Sequence, residues 1–305
     1  MPLRVQLVIR LCALLTLGVA GQLPAQRTFR TIRSDFTSGF GDIWYIWSAP
    51  FHADSRDWLG AALSAGAVVA TAPFDDDIDQ WIVDHPNSAI LQGLEPVRER
   101  KSGIKLYDLG SAKLIHPIVG VMYAAGFAAD SRKIRDAAIG CMAAQQANGL
   151  VRQVIYKTVT RPRPFLDNAD PYDIKIERGE WPERSFFGGH AANIVACTSF
   201  FNERFDLGVA EPLLYTFAVA ASVGRMADRR HWASDTVLGI IFGHAIGHNI
   251  GRRSRERAEA RGSRSARREG KDAQADFVAT NEPPQGFFLS PSAQGGVQVG
   301  WRRAF

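Results

Sequence analysis

The chain has 305 residues, 46% hydrophobic and 22% charged, a balance that supports a packed core and excludes disorder as the general state. Its formal charge of +5 sits in one place, because residues 252–272 hold nine basic against four acidic side chains. The remainder is balanced and has no basic stretch interleaved with aromatics, which excludes a nucleic-acid partner as the reason for the high pI.

The first twenty residues carry Arg4 and Arg10, then an apolar run over 11–20 with small residues at Gly18 and Ala20. That order predicts a signal peptide over 1–20 and export, to the periplasm or the outer face of the inner membrane. Retention as an anchor is the alternative, against which the run is shorter than the ~20 residues that span a bilayer. Cys12 lies at the start of the apolar run instead of closing it, so this is not a lipoprotein signal. Cys141 and Cys197 then remain, each within an apolar helical pattern, and read as buried small hydrophobes. A disulfide between them is the alternative in an oxidising compartment.

Residues 28–251 read as one domain. Over 28–52 the aromatics Trp44, Tyr45 and Trp47 are followed by Ser48, Pro50 and Asp54, which predicts short helical turns. A small-residue helix over 57–72 ends at Pro73. Asp75, Asp76, Asp77 and Asp79 come next, read as an acidic helix start that serves the dipole and not as a metal site.

Five further segments, 111–129, 131–157, 190–205, 211–226 and 234–250, are rich in alanine and leucine without alternation, and predict helices. Asp130 and Ser131 supply a capping signal ahead of Arg132. No segment has 18 uninterrupted apolar residues, and Gln145, Gln146, Asn148 and Asn193 fall inside them, which favours a soluble bundle over a polytopic membrane protein. Five prolines and glycines between 161 and 184 predict a loop. Residues 252–282 read as a basic linker or solvated helical extension, with contact to an anionic membrane surface through 252–272 as the alternative. In the tail, 283–305, Gly295 and Gly296 separate two short apolar stretches, as in a β-hairpin.

Three stretches carry chemistry. In the last, Arg225 is followed after five residues by His231 and after three more by Asp235. At helical spacing His231 and Asp235 share a face, so the carboxylate can fix the imidazole tautomer and leave the other nitrogen free to attack. Arg225 offers a fork of donors for phosphate oxygens. The second stretch runs Ser185-Phe186-Phe187-Gly188-Gly189-His190 into a helix, where Gly188 and Gly189 let main-chain N–H groups approach an anion and His190 can protonate a leaving oxygen. In the first, Lys157 and Arg163 close a helix before the proline loop, a point charge and a fork suited to phosphate.

The conjunction, in this order, resembles the type 2 phosphatidic acid phosphatase superfamily, which includes bacterial nonspecific acid phosphatases and vanadium haloperoxidases. Its pattern is Lys, six residues, Arg-Pro; then Pro-Ser-Gly-His; then Ser-Arg, five residues, His, three residues, Asp. Arg225, His231 and Asp235 match the third part, and Gly189 and His190 the second, so the resemblance covers about residues 111–250. Lys157 stands one residue late, so the lysine position falls on Tyr156; Phe187 and Gly188 replace Pro and Ser; Gly224 replaces the serine before Arg225.

The resemblance implies an all-α fold, a single helical bundle of the acid phosphatase and haloperoxidase type with the basic extension and hairpin tail appended. It implies hydrolysis of a phosphomonoester or lipid phosphate without metal or cofactor. His231 would be the nucleophile, Asp235 its orienting partner and His190 the acid, while Arg163, Arg225, Lys157 and the backbone at Gly188 and Gly189 would hold the oxygens. The alternatives it leaves are a vanadate-dependent haloperoxidase and a noncatalytic anion-binding protein. His244 and His248 stand four apart as in a zinc protease, but Ala245 occupies the general-base position, so no metal site is expected there.

Overall fold

The computed structural model describes residues 25–98, 110–281, 286–291 and 297–302. The expected leader, residues 1–20, lies outside them.

Helix α1, Ala25–Trp47, is one continuous helix where the sequence suggested short turns. It persists because its carboxylates find cations on other helices. Asp35 accepts from Arg135 Nε at 3.0 Å and from the Tyr123 hydroxyl at 3.2 Å, and Asp42 accepts from Arg253 Nε at 3.0 Å. The arginines that match these carboxylates, Arg135 and Arg253, lie far along the chain, so the long helix could not be read locally. Burial, with Asp35 close by, drives the Tyr123 phenol well above its ordinary value.

A short 3-10 turn, Ala49–Phe51, leads to α2, Ser55–Thr71, whose start is fixed by a capping box between Asp54 and Asp57. The 3-10 turn Ala72–Phe74 joins it to α3, Asp75–Asp84, which begins on three aspartates as its dipole prefers. Two of the four acidic residues do more than that. Asp75 is buried on a distant arginine, and Asp79 accepts from Arg229 Nε and Nη2 at 2.8 and 2.7 Å. Helix α4, Ala89–Gly93, and the 3-10 turn Glu95–Val97 complete the N-terminal part.

Helices α5, Ala112–Ala128, and α6, Arg132–Thr158, are capped by the Ser111 and Ser131 side chains. After the proline loop, held by isolated bridges from Thr160 to Lys175 and from Arg161 to Arg184, comes α7, Gly189–Arg204. It is the central helix: Ala191 to Phe200 are buried without a break. α8, Ala210–Ala227, packs against it, as does α6, and α1 and α5 pack in turn on α6. The main apolar cluster joins Val119, Cys141, Ala144, Phe200, Ile246 and Ile250. Cys141 and Cys197 form a disulfide at its centre, so the reading of two free buried thiols gives way to the alternative.

Helix α9, Ala233–Asn281, runs through the basic stretch, which is therefore helix and not open chain. At its N-terminal end Gly239, Gly243, Gly247 and Gly251, one to each turn, form a stripe laid on Gly188, Ala192, Ala196 and Phe200 of the α7 segment. A Cβ at Gly243 would stand 2.5 Å from the Ala192 carbonyl oxygen, so main chain lies on main chain. A valine there would force the helices apart. Contacts divide the chain into a compact unit, Met1–Arg255, and a second, Glu256–Phe305. The second contains the expected hairpin: β1, Gly286–Pro291, pairs antiparallel with β2, Val297–Arg302, Phe287 opposite Trp301. Among the described residues, no helix is long and apolar enough to cross a membrane.

Candidate functional site

The site forms where the proline loop, the start of α7 and the turn between α8 and α9 meet. That turn is tight: Arg230 N–H returns to the Arg225 carbonyl at 3.0 Å, and Arg229 takes a left-handed φ of 54°. Such a φ costs a non-glycine residue roughly 1 kcal/mol or more. The two bonds to Asp79, with a third from Nη2 to the Pro164 carbonyl at 2.5 Å, hold it there.

His231 follows this turn and is buried, 2% exposed. Its Nδ1 lies 2.7 Å from the Ser185 carbonyl oxygen. A carbonyl only accepts, so Nδ1 carries the proton and Nε2 keeps its lone pair. Burial first, then the charges of Arg225 and Arg163, hold His231 well below its ordinary 6.5, with His190 adding to the effect. His190, in the first turn of α7, is pushed down to about 3 by burial and then by Arg225, Arg152 and Arg163. The same two guanidinium groups act on both imidazoles, and His190 acts on His231 as well. Both arginines are buried, Arg225 in the last turn of α8 and Arg163 in the proline loop. Burial and the neighbouring Arg225 charge lower Arg163 itself. Its Nη2 donates to the Arg184 carbonyl at 3.1 Å, its guanidinium lies 5.3 Å from the Trp181 ring centroid, and its buried Nε meets no hydrogen-bond partner among the described residues.

Asp235 is placed otherwise than its spacing suggested. Helix α9 begins at Ala233, so His231 is outside it and Asp235 lies in its first turn, where a carboxylate reaches back to the main chain. One oxygen accepts from Trp232 N–H at 3.1 Å and from the Ser185 hydroxyl at 2.5 Å; the other accepts from Arg161 Nη1 at 2.5 Å. The expected direct contact with His231 is replaced by one through Ser185, whose carbonyl holds the imidazole. Burial pushes the Asp235 carboxyl upward, against the pull of Arg161 and the Ser185 and Trp232 donors.

Arg161 is a residue that the sequence reading left without a role. Its guanidinium is shared between Asp235 and Asp75, at 2.5 and 2.6 Å, with Ser234 Oγ at 3.0 Å and the Pro171 carbonyl at 2.8 Å. Ser234 also binds Asp75, by main-chain N–H at 2.8 Å and by hydroxyl at 2.6 Å. The chain offers two Arg-Pro pairs, and only contacts separate them: Arg161 is consumed by carboxylates, while Arg163 stands with the histidines.

Two expected phosphate donors are displaced. Lys157 is exposed on the last turn of α6, a consequence of the one-residue slip, which turns a side chain by about 100°. Gly188 N–H donates to the Asp235 carbonyl at 3.1 Å, so it fastens α7 to α9 and leaves no proton for an anion. Gly189 opens α7 as expected, and its lack of a side chain has a local reason. A Cβ there would lie 2.6 Å from Cδ and 3.1 Å from Nη1 of Arg152, which crosses it from α6. Nearby, Asn148 donates to Asn193 Oδ1 at 2.5 Å and to the Gly189 carbonyl at 3.4 Å.

No curated protein and no solved structure gives a significant match to the chain. A family model does: that of the PAP2 superfamily matches residues 137–255. The matched stretch holds Arg163, His190, Arg225, His231 and Asp235, all of them in the site just described. That match supports membership of the PAP2 superfamily for residues 137–255, a family that is in general one of phosphoesterases.

Proposed function

We propose that this protein hydrolyses phosphoric monoesters, soluble or lipid-borne, through a phosphohistidine. The observation that carries the reading is the placing of two proton-poor imidazoles under the charges of the same two buried arginines. A tetrahedral oxyanion supplies the negative charge such a pocket lacks, and preorganised donors stabilise the extra charge of a pentacoordinate phosphorus without reorganising. His231, with its proton fixed on Nδ1 by Ser185, attacks phosphorus through Nε2. The P–O bond to the alcohol breaks, and His190 gives the departing oxygen a proton. That proton arrives with substrate, because a bound phosphoanion raises His190 from its depressed resting value, while His231 keeps its single proton on Nδ1. Water, deprotonated by His190, then cleaves the P–N bond and releases phosphate. Arg163 and Arg225 hold the equatorial oxygens, with main-chain N–H at Gly189. No step needs a metal ion.

The Cys141–Cys197 disulfide supports the companion proposal that the protein works outside the reducing cytoplasm, in the periplasm or at the outer face of the inner membrane.

The test is hydrolysis of p-nitrophenyl phosphate by the purified protein with chelator present, wild type against His231→Ala. Chelator-resistant turnover that the substitution reduces by about a thousandfold or more is expected for loss of a nucleophile. Bromide oxidation with vanadate and peroxide, in a protein inert towards the ester, would replace this reading by a haloperoxidase. Inertness in both assays would leave only an anion-binding protein.

A further inference from the structure

Arg152 stands one helical turn before Tyr156, the position where the superfamily pattern has its lysine, and residues four apart share a face. Three observations place its guanidinium at the site. It crosses Gly189 at the start of α7, as the 2.6 Å and 3.1 Å approaches show. Its charge acts on His190 as those of Arg225 and Arg163 do. Its Nε is buried and meets no hydrogen-bond partner among the described residues. A buried charged donor left unbonded is costly, so such an atom points to an acceptor that arrives from outside. Tyr156 sits between two arginines, its ring centroid 5.8 Å from the Arg152 guanidinium and 6.0 Å from that of Arg184. The ring where the lysine would be thus flanks the longer side chain from the preceding turn.

We propose that Arg152 is the third anion-holding cation of this site and replaces the lysine that Tyr156 displaces. The inference rests on the phosphatase reading and names a binding residue that the motifs do not contain.

The test is calorimetric titration of inorganic phosphate, with ester hydrolysis in parallel, for wild type, Arg152→Met, and Arg152→Met combined with Tyr156→Lys. Arg152→Met is expected to weaken phosphate binding by about ten- to a hundredfold, the range of one charge-assisted contact, with an unchanged melting temperature. The double variant, with the lysine back in its usual place, is expected to recover most of the loss. A wild type that neither binds phosphate nor turns over ester sinks the phosphatase reading itself. A wild type that binds, with Arg152→Met binding equally well, overturns the role of Arg152 alone, and so does a double variant that recovers nothing.

A separate observation carries a second inference. Helix α1 has a buried side, with Asp35, Gly39 and Asp42, and next to it an exposed arc of Phe29, Phe36, Phe40, Trp44 and Trp47 at spacings of three, four and seven. Trp44 is 73% exposed, and Phe51, just beyond the helix, is 92%. Helix α2 goes further. None of its 17 residues is buried, and no charged residue occurs between Trp58 and Phe74. A helix apolar all round belongs in an apolar surrounding, and an open patch of this extent marks an interaction site. The occupant is indicated by the charges at its edge. Arg30 and Arg33, with Ser34, Thr37 and Ser38, line a shallow depression beside the aromatics, and Arg56 stands exposed at the start of α2. The exposed carboxylates there, Asp54 and Asp57, are held in the capping box. A second copy docked isologously on α1 would bring like arginines together, whereas anionic headgroups would pair them.

We infer that α1 and α2 form an in-plane docking face for an anionic lipid bilayer, the aromatics at the acyl boundary and the arginines among the headgroups. The test is flotation of the full chain with vesicles of phosphatidylglycerol and phosphatidylcholine in equal parts, or of phosphatidylcholine alone. Wild type is compared with the exposed-face variant Phe40→Ser, Trp44→Ser, Leu63→Ser. Wild type is expected to float best with the anionic vesicles, and the variant to bind at least about tenfold more weakly, as the loss of three apolar contacts implies. Unbound wild type, or a variant that floats equally well, overturns the inference. So does a wild-type dimer in solution that the same substitutions dissociate, which gives the face to a second copy.

Discussion

Ser185 joins His231 to Asp235 with two different atoms: its carbonyl oxygen accepts from His231 Nδ1 at 2.7 Å, and its hydroxyl donates to Asp235 at 2.5 Å. The two bonds can be cut separately. Ser185→Ala removes the hydroxyl and keeps the carbonyl, so His231 should retain its tautomer while Asp235 loses one of its donors. Turnover is expected to fall by about tenfold, the worth of one buried hydrogen bond, with KM nearly unchanged. Nitrogen NMR of the His231 ring should still show the proton on Nδ1; a shift to Nε2 would contradict the assignment.

Arg161 compensates two buried carboxylates at once, so its removal should cost more than the removal of either. Asp235→Asn leaves it Asp75, and about 2–3 kcal/mol of stability should be lost. Arg161→Met strands both acids and should cost on the order of 4 kcal/mol or more. The double substitution should cost less than the sum, since the pair is in direct contact. Urea denaturation of the four proteins gives the coupling, and strict additivity would show that the contact carries no energy.

Acid should destabilise the protein before its carboxylates titrate. Both site histidines are held below 6.5 in the fold, His190 at about 3. The unfolded chain therefore takes up protons that the folded chain refuses, and stability present above about pH 6.5 is lost as pH falls towards the folded values. Between about pH 7 and pH 4 the loss from His190 alone is on the order of 3 kcal/mol. His190→Gln should flatten the slope of melting temperature against pH over that range. Saturating phosphate should flatten it too, because a bound anion lets the imidazoles keep their protons.

The Cys141–Cys197 bridge closes a loop with a sequence separation of 56 residues. A loop of that length constrains the unfolded chain by about 4 kcal/mol. Replacing both cysteines with alanine should lower the stability by a comparable amount in denaturant titration. Reductant should act slowly on the native protein, since Cys141 is only 1% exposed. Rapid reduction without denaturant would show that the core opens more easily than its packing suggests.

What could be read from the chain follows the range of the interactions. Ser111 and Ser131 cap their helices through bonds to residues two or three positions on, so local signals sufficed. His190, Arg225 and His231 could be placed together because a spaced pattern carried them. The role of Asp235 could not, because it depends on where α9 starts, and a carboxylate in a first turn looks like a mid-helix neighbour when only spacing is counted. Arg161 and Arg163 are chemically alike, and Asp75, 86 positions away, decides between them. Arg152 gave only a faint signal, a basic residue one turn ahead of a tyrosine where a lysine is usual. The continuous α1 was obscured for a related reason, since its carboxylates are matched by Arg135 and Arg253, far along the sequence.

The ion pair between Asp75 and Arg161 also sets the smallest piece of this protein worth making. Residues 137–255 carry the whole recognisable signature, yet a fragment cut to those limits would leave behind the acid that neutralises half of Arg161 and the main-chain and hydroxyl contacts that Ser234 makes with it. Freed of Asp75, the guanidinium would draw on Asp235 alone, and the Ser185 strap would answer to a different pull. The signature ends where the motifs end; the working unit begins at least sixty residues upstream, in a helix no motif search would include.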